Sequence, residues 1–204
     1  MAINTNRLNR WRYTLYSPVY DLVARLFNPA RQRSISKLQL QKGHQVLLVG
    51  AGTGLDLPYF PADCHITATD LTPAMLQQLA QNNRVWQRQV HTQVMDGQQL
   101  TFADEQFDAV VLHLILAVIP DPVACLREAE RVLKKGGKVV VFDKFIPAQQ
   151  SVSLARRLLN PLTNLLFSDI TRDFYHIHQN SGLKVVSDEA GALKGAFRII
   201  LLEK

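Results

Sequence analysis

Short apolar runs alternate with amphipathic stretches along the chain from residue 43 onward. Around residues 73–83 and 122–134, apolar residues recur at three- and four-residue spacing, which predicts helices. Strands and helices in strict alternation predict a parallel sheet covered by helices on both faces. The apolar runs predict strands at QVLLVG (45–50), HITATD (65–70), VHTQVM (90–95), FDAVVLH (107–113), KVVVFD (138–143), LKVVSD (183–188) and FRIILLE (197–203).

The first 42 residues have the pattern of a helical arm instead. Ser17-Pro18 predicts a helix start, with the serine as cap and the proline in the first turn, and Asn28-Pro29 predicts a second helix towards Leu40. Apolar spacing in residues 151–180 predicts a helical insertion. We therefore expect a single α/β domain over 1–204 in four parts: the arm 1–42, a core 43–145, the insertion 146–181 and closing strands 182–204.

Composition agrees with one well-packed globular domain: the chain has 204 residues, of which 47% are hydrophobic and 20% charged. The longest strongly apolar stretch, Val110–Ile119, is much shorter than the roughly twenty residues of a membrane-spanning helix. The first residues lack the apolar core of a signal peptide, which predicts a cytoplasmic protein. Two cysteines exclude a disulfide framework, and no spacing of cysteines and histidines predicts a metal site.

The net charge of +6 is concentrated in the arm. Residues 1–42 contain eight basic residues and one acid, a net charge of +7, whereas the rest of the chain contains 15 basic and 16 acidic residues. Such an asymmetry predicts an anionic partner, which could be a phospholipid surface, a nucleic acid or an acidic protein. The alternative is an ordinary solvated helix face.

A glycine-rich loop follows the first predicted strand. Gly50, Gly52 and Gly54, with Ala51 between the first two, form a GxGxG pattern directly after the run VLLV. Glycines let the backbone turn sharply and approach a ligand without a Cβ in the way, which predicts a nucleoside-like ligand at the carboxyl end of this strand. A dinucleotide fingerprint needs a third glycine where Leu55 stands, so we do not expect NAD to bind.

An acid ends each of the next two predicted strands. The carboxylate of Asp70 can accept hydrogen bonds from both hydroxyls of a ribose; the alternative is that it caps the helix near Pro73. Asp96, followed by Gly97, can accept from the exocyclic amine of adenine; the alternative is a polar turn. Because parallel strands end at one edge of a sheet, the loop and the two acids predict a single nucleoside site.

These segments resemble the class I S-adenosylmethionine-dependent methyltransferases over roughly residues 44–145, through VLLVGAGTG, TATDLTPAML, MDGQQLTFADEQFDAVV and LREAERVLKKGGKVVVFD. The resemblance implies a Rossmann-like fold with a mostly parallel, seven-stranded sheet whose last strand is antiparallel. It implies S-adenosyl-L-methionine as cofactor, S-adenosyl-L-homocysteine as product, and a turn at Gly136-Gly137 before the fifth strand. The implied cofactor contacts are Gly50, Ala51, Gly52 and Gly54 to the methionine part, Asp70 to the ribose, and Leu71, Asp96 and Gly97 to the adenine.

A finer resemblance, through YSPVYDLVARLFNPARQRSI and FDAVVLHLILAVIPDP, is to small bacterial methyltransferases that act on phosphatidylethanolamine. It implies a lipid or lipophilic acceptor, first of all that amine. Quinone-ring and membrane-associated thiol methyltransferases share much of the pattern, and a cofactor-binding regulatory or scaffold protein without turnover is the alternative from another class. HLILAV stands where amino-methylating nucleic-acid enzymes carry an Asn/Asp-Pro-Pro-Tyr-like motif, which disfavours a nucleic acid acceptor.

We expect the arm to contact an anionic inner-membrane surface through Arg7, Arg10, Arg12, Trp11 and Tyr13.

Methyl transfer is an in-line displacement at a sulfonium carbon, so the protein mainly positions the acceptor, and an amine must lose a proton before it attacks. We predict acceptor-orienting or catalytic roles for Tyr16 and Tyr20 in the arm and for His113 at the end of the fourth strand. The alternatives are that the tyrosines only cover the cofactor and that His113 is a core histidine. Weaker candidates lie in the insertion: Arg156 and Arg157 for a phosphate, and Tyr175, His176 and His178.

Overall fold

The computed structural model describes residues 5–146, 169 and 171–204, without the side chains of residues 13, 15–20, 22 and 23. The helices in these ranges are α1 (Asn6–Ala24), α2 (Asn28–Ser36), α3 (Pro73–Trp86), α4 (Pro122–Val132) and α5 (Phe174–His178). The strands are β1 (Gln45–Val49), β2 (His65–Asp70), β3 (Val90–Val94), β4 (Phe107–His113), β5 (Leu133–Lys144), β6 (Lys184–Ala192) and β7 (Phe197–Glu203). Short 3₁₀ turns lie at Arg25–Phe27, Leu57–Tyr59 and Leu193–Gly195.

The strands form one seven-stranded sheet in the order β3-β2-β1-β4-β5-β7-β6. β1 pairs in parallel with β2 and β4, and the parallel part extends outwards to β3 and β5. β7 runs antiparallel between β5 and β6. The predicted Rossmann-like sheet with an antiparallel last strand is confirmed, and the parallel strands β1 to β5 end at one common edge.

The hydrophobic core lies on both faces of this sheet. Along β1, Leu47 and Val49 pack into the layer that contains α4 and α5, whereas Val46 and Leu48 pack into the layer that contains α2 and α3. Because both faces are covered, the central strands β1 and β4 contain uninterrupted apolar runs, residues 46–49 and 109–112, instead of alternating with polar residues. This pattern leaves the polar groups of the sheet at its edge, where each strand ends.

The first helix differs from its predicted form. α1 begins at Asn6 and continues through Ser17-Pro18, so the predicted helix start at Ser17 is wrong. Serine followed by proline predicts a helix start when the preceding residues make no tertiary contacts. In this chain the first turns of α1 are held by contacts with the rest of the fold. Asn9 donates its Nδ2 to the carbonyl of Val118 at 3.1 Å, and Arg12 is buried. Tertiary contacts therefore outweigh the hydrogen bond that a proline removes from a helix.

The second helix begins at Asn28, in agreement with the prediction, and ends at Ser36 instead of continuing towards Leu40. Gln39 adopts a left-handed φ of +52°, which a right-handed helix does not accommodate. The chain therefore leaves α2 early and turns into β1.

The fifth strand begins at Leu133, earlier than predicted. Its pairing with β4 shifts register: Phe107 lies opposite Leu133, whereas Ala109 lies opposite Lys138. Gly136-Gly137 lies inside this irregularity, so the expectation of a separate turn before the strand is wrong. Pairing with β4 continues on both sides of this bulge, so both segments of β5 belong to one strand.

Most of the predicted insertion falls outside the described residues, including Arg156 and Arg157. Its last part is α5, which buries Phe174 and Ile177 against the layer of α4. Within the described ranges, no helix combines the length and the apolar character that crossing a membrane requires.

Candidate active site

The glycine-rich loop leaves β1 at the common edge of the sheet. Gly50 and Gly54 have φ values of +69° and +81°, a region that residues with a Cβ rarely adopt. A Cβ on Gly50 would lie 2.3 Å from Cδ1 of Ile115, and one on Gly54 would lie 2.7 Å from Cγ of Leu79. Both positions therefore need glycine for the loop to fold against its neighbours, before any ligand is considered.

Asp70, the last residue of β2, connects this loop to the start of α3. Its Oδ2 accepts from the backbone N–H of Gly52 at 2.9 Å and its Oδ1 accepts from that of Thr72 at 2.8 Å. Burial raises the pKa of this carboxyl group, and the two backbone donors oppose the shift. The N-cap of α3 is Thr72, not Asp70, which argues against the capping alternative.

Asp96, which follows β3, is held by the arm. The Nδ2 of Asn6, at the start of α1, donates to its Oδ2 at 2.5 Å. Gln98 donates its backbone N–H to Oδ1 at 3.0 Å and its side-chain amide to both carboxylate oxygens. An adenine amine that binds Asp96 would therefore lie beside the side-chain amide of Asn6. This makes Asn6 part of the site.

A cavity opens between these groups. It is lined by six of the eight predicted cofactor residues: Gly50, Gly52, Asp70, Leu71, Asp96 and Gly97. Ala51 lines an adjoining recess instead, together with Arg31 and His113. Gly54 packs towards Leu79 and does not line the cavity.

The residues that follow β4 form an apolar wall of the cavity, contributed by Leu114, Ile115, Val118 and Ile119. Leu114 has a φ of +57°, which is costly for a bulky side chain, and its N–H donates to the carbonyl of Phe142 at 2.8 Å. The wall is also held from β5, because Oδ2 of Asp143 accepts from the N–H of Ala117 at 2.9 Å. A strained backbone held by neighbouring strands is typical of a functional loop.

Comparison with known proteins identifies the family. A family model described as a methyltransferase domain matches residues 47–141. The phosphatidylethanolamine N-methyltransferase of Cereibacter sphaeroides is 29% identical over 151 residues, which is 72% of this chain and 74% of that protein. A solved S-adenosylmethionine-dependent methyltransferase from Aquifex aeolicus has a TM-score of 0.69 at 16% identity, covering 93% of this chain and 97% of that one.

This chain is a class I S-adenosylmethionine-dependent methyltransferase. A ubiquinone/menaquinone biosynthesis C-methyltransferase from a Geobacter species is equally similar, at 29% identity over 142 residues. The methyltransferase covers only 60% of that relative's length, compared with 74% of the phosphatidylethanolamine enzyme.

S-adenosylmethionine is the cofactor, and the cavity has the chemistry that this molecule requires. A carboxylate, Asp70, is available for the ribose diol, and apolar side chains are available for the adenine ring. Gly97 lines the cavity, and its position needs glycine because a Cβ there would lie 2.8 Å from Cγ1 of Val49. No group of three or more metal-ligating side chains occurs within the described part of the methyltransferase.

α1 forms one wall of the cavity. Asn6 and Asn9 line it, and Asn9 is tied to the apolar wall through Val118. Further along α1, Asp21 accepts from the hydroxyl of Thr53 in the glycine-rich loop and from Nδ2 of Asn82 in α3. The arm therefore contacts the site at both ends of the helix.

His113 lines the cavity, yet both of its ring nitrogens are bonded to the protein. Nδ1 lies 2.7 Å from Oδ1 of Asp56, and Nε2 lies 2.9 Å from Oγ of Ser34. The other oxygen of Asp56 accepts from Nη1 of Arg31 at 2.8 Å. Arg31, Ser34, Asp56 and His113 are all buried, and together they form a network behind the glycine-rich loop.

The hydrogen bonds of this network fix which ring nitrogen of His113 carries a hydrogen. Although burial favours the neutral form of Asp56, Arg31 and His113 beside it hold the pKa of this carboxyl well below its usual range. Asp56 is then an acceptor only, so Nδ1 of His113 carries a proton and Nε2 points to Ser34. The order serine, histidine, aspartate resembles a hydrolase triad, but Ser34 has no exposed surface for a substrate to reach.

This geometry predicts that His113 orders the site and does not take the proton of an acceptor. We expect His113→Ala to lower the free energy of unfolding by about 1–3 kcal/mol, because Asp56 loses a buried donor. Urea unfolding would measure this loss, and His113→Asn, which can still donate to Asp56, should lose less. Turnover per folded molecule should fall by less than about tenfold. A loss of about 100-fold with normal folding would instead establish His113 as the base.

The remaining candidates lie elsewhere. Tyr16 and Tyr20 belong to α1, and their side chains lie outside the described residues. The hydroxyl of Tyr175 donates to Asp188 at 2.9 Å, and His178 Nε2 lies 2.6 Å from the carbonyl of Leu183. His176 is exposed on the same short helix. None of these three α5 residues lines the cavity of the methyltransferase.

Fewer basic residues of the arm are available to bind anions than its net charge predicts. Arg12 is 2% exposed and Arg31 is 4% exposed, so neither can contact a membrane, and the expectation for Arg12 is wrong. Burial follows because both guanidinium groups hydrogen-bond inside the fold, Arg12 to Asn9 and Arg31 to Asp56. Arg33 and Lys37 both pair with Glu189 of the edge strand β6.

Proposed function

We propose that this methyltransferase acts on a lipid or lipophilic acceptor, and that the acceptor atom is the amine of a phospholipid such as phosphatidylethanolamine. The observation that carries the proposal is that residues of α1 line both the cavity and a groove outside it. Asn6 and Asn9 line the cavity, whereas Arg7, Arg10 and Trp11 line an outer groove together with Leu71. Asn6 and Leu71 belong to both, so the groove leads to the mouth of the cavity.

The outer groove has the composition of a membrane-contacting surface. Trp11 is 68% exposed although it is the largest apolar side chain of the arm. It lies one helical turn after Arg7 and directly after Arg10, and both of these arginines are exposed. An indole beside two guanidinium groups suits the interface of an anionic leaflet, where the ring meets acyl chains and the cations meet phosphates. Peripheral association at such a surface is part of the proposal.

The residues of the chain have defined tasks in this proposal. When bound, S-adenosylmethionine supplies an electrophilic methyl group on a sulfonium sulfur, so little covalent chemistry is left to the protein. Asp70 holds the ribose hydroxyls, and Asp96 with Gly97 holds the adenine edge. The apolar wall at Leu114 and Ile115 excludes water from the acceptor's path. Tyr16 and Tyr20 remain the proposed orienting residues for the amine, which must arrive unprotonated.

Two further functions stay open as alternatives. The same wall suits a quinone ring or a thiol, and the similarity to a quinone C-methyltransferase favours the ring. A regulatory or scaffold protein that binds the cofactor without turnover is the second alternative. Incubation with methyl-labelled S-adenosylmethionine and a whole lipid extract separates them by the labelled product. Labelled phospholipid supports the proposal, labelled quinone supports the first alternative, and cofactor binding without any labelled product supports the second.

The membrane surface gives a separate prediction. We expect the chain to sediment with anionic vesicles and not with neutral ones, and the double variant Arg7→Gln, Arg10→Gln to bind roughly thirtyfold more weakly at low salt. Each arginine near an anionic leaflet contributes about 1 kcal/mol, and salt screens this contribution.

The matched control is the double variant Arg84→Gln, Arg127→Gln, which removes the same charge from exposed positions outside the arm. It should bind anionic vesicles like the parent. Equal weakening in both double variants would show that only net charge matters. Absence of binding to either vesicle type would leave α1 as a cover of the cavity and favour an acceptor that is not in a membrane.

A further inference from the structure

A second group of charges lies at the carboxyl end of β5. Lys144 is the last residue of the strand, Arg12 comes from α1, and Arg172 lies just before α5. Electrostatic coupling joins them to two acids. We call this group the β5 cluster; its members are Arg12, Asp143, Lys144, Asp169 and Arg172.

The two acids of the β5 cluster are already engaged. Asp143 is buried, and its oxygens accept from the backbone N–H groups of Ala117 at 2.9 Å and of Lys144 at 2.8 Å. Asp169 lies 3.7 Å from Nε of Arg172. The carboxylates therefore hold the chain in place and balance Arg172, and the cluster keeps an excess of positive charge.

The ammonium group of Lys144 is the cation with the fewest partners. It is half-buried and lies 5.9 Å from the ring centroid of Phe197, and it makes no hydrogen bond or ion pair in the described ranges of the chain. Burial lowers the pKa of Lys144, Asp143 opposes this shift, and Arg12 adds to it. A partly desolvated ammonium group without an anion in contact favours the binding of an anion.

The β5 cluster adjoins the cavity on two sides. Nη2 of Arg12 donates to Oδ1 of Asn9 at 2.5 Å, and Asn9 lines the cavity. Arg172 donates to the carbonyl of Leu116, and Asp143 holds the N–H of Ala117, in the same loop whose flanking residues form the apolar wall. The β5 cluster therefore borders the cavity through Asn9 and through the loop after β4.

We propose that Lys144 binds a phosphate group of the methyl acceptor. This inference rests on the proposed function, because it requires an acceptor that enters the cavity beside the cofactor. In phosphatidylethanolamine the phosphate is separated from the amine by two carbons, so an enzyme that holds the amine at the methyl group must hold the phosphate nearby. Lys144 supplies a point charge for this phosphate.

The test is calorimetric titration of dihexanoyl phosphatidylethanolamine, below its micelle concentration, into the chain saturated with S-adenosylhomocysteine. A soluble acceptor removes any contribution from membrane binding by the arm. We expect Lys144→Met to weaken binding about ten- to a hundredfold, the range of a charge-assisted hydrogen bond. Lys144→Arg should recover most of the affinity. Lys184→Met, at an exposed lysine of β6, should bind like the parent.

A parallel titration with O-phosphoethanolamine distinguishes the sources of the phosphate. Binding of both molecules indicates recognition of the phosphate itself, whereas binding of the lipid alone indicates that the acyl chains are also required. Should Lys144→Met fail to fold, Lys144→Gln takes its place, and inorganic phosphate must compete with the lipid for the parent.

The inference is overturned if the parent complex binds neither molecule, if the neutral Lys144 variants bind as tightly as the parent, or if phosphate does not compete. In those cases tight binding of S-adenosylhomocysteine by the parent would leave the methyltransferase proposal intact. Absence of S-adenosylhomocysteine binding would instead overturn both.

Discussion

Asp70→Ala should weaken the binding of S-adenosylhomocysteine by about 30- to 1000-fold, the equivalent of roughly 2–4 kcal/mol. The carboxylate accepts from Gly52 in the glycine-rich loop and from Thr72 before α3, so its removal also loosens two walls of the cavity. It is also the group at the end of β2 that we assign to the ribose hydroxyls. Isothermal titration calorimetry measures the change directly.

The matched control is Asp63→Ala, an exposed aspartate just before the other end of β2, which should leave the affinity unchanged. Asp70→Asn keeps the size of the side chain and one carbonyl acceptor, so it should lie between the parent and the alanine variant. Unchanged affinity in Asp70→Ala would remove this residue from the cofactor site. The parent should not bind NAD, since the loop lacks the third glycine of a dinucleotide fingerprint.

Asp56→Ala should lower the free energy of unfolding by about 3–5 kcal/mol, a large part of the stability of an ordinary domain. The substitution leaves the guanidinium group of Arg31 and the ring of His113 buried without their shared carboxylate. Asp104→Ala is the control, because it breaks an ion pair of the same residue types whose aspartate is largely exposed. That loss should not exceed about 1 kcal/mol, and urea unfolding compares the two.

The same carboxylate predicts a pH dependence. Because the pKa of Asp56 is held below that of an unfolded aspartate, about 3.9, its contribution is fully present above that pH and is lost as the pH falls towards the folded-state pKa. Stability measured between pH 5 and pH 2 should therefore fall less steeply in Asp56→Asn than in the parent. Equal slopes would mean that the network does not stabilise the ionised carboxylate.

α1 joins the proposed membrane contact to the cofactor cavity within one helix. Its outer residues Arg7, Arg10 and Trp11 face the groove, and its inner residues Asn6 and Asn9 contact Asp96 and Val118. A displacement of α1 at a membrane surface would consequently change the cavity that receives the acceptor. The vesicle and calorimetric experiments above probe the two faces of this helix separately.

The sequence by itself determined the sheet and the position of the cofactor cavity. The central strands β1 and β4 contain continuous apolar runs because both faces are covered, and such runs can be recognised without the structure. β2, β4 and β7 have the predicted bounds. The loop glycines and the acids Asp70 and Asp96 follow their strands directly, so topology alone brings them to one edge. Local pattern suffices when the backbone of one element fixes where a residue lies.

Only the tertiary structure decided which partners the arm's charges and His113 have. Arg12 and Arg31 look like surface cations in the sequence, because nothing in a local pattern indicates that the face of α1 with Asn9 and Arg12 is buried, or that Arg31 pairs with Asp56, 25 residues away. His113 is a predicted base by position, but Asp56 lies 57 residues away and turns its ring into the protein. A polar side chain takes its function from partners that are distant in sequence, and only packing brings those partners within hydrogen-bonding distance.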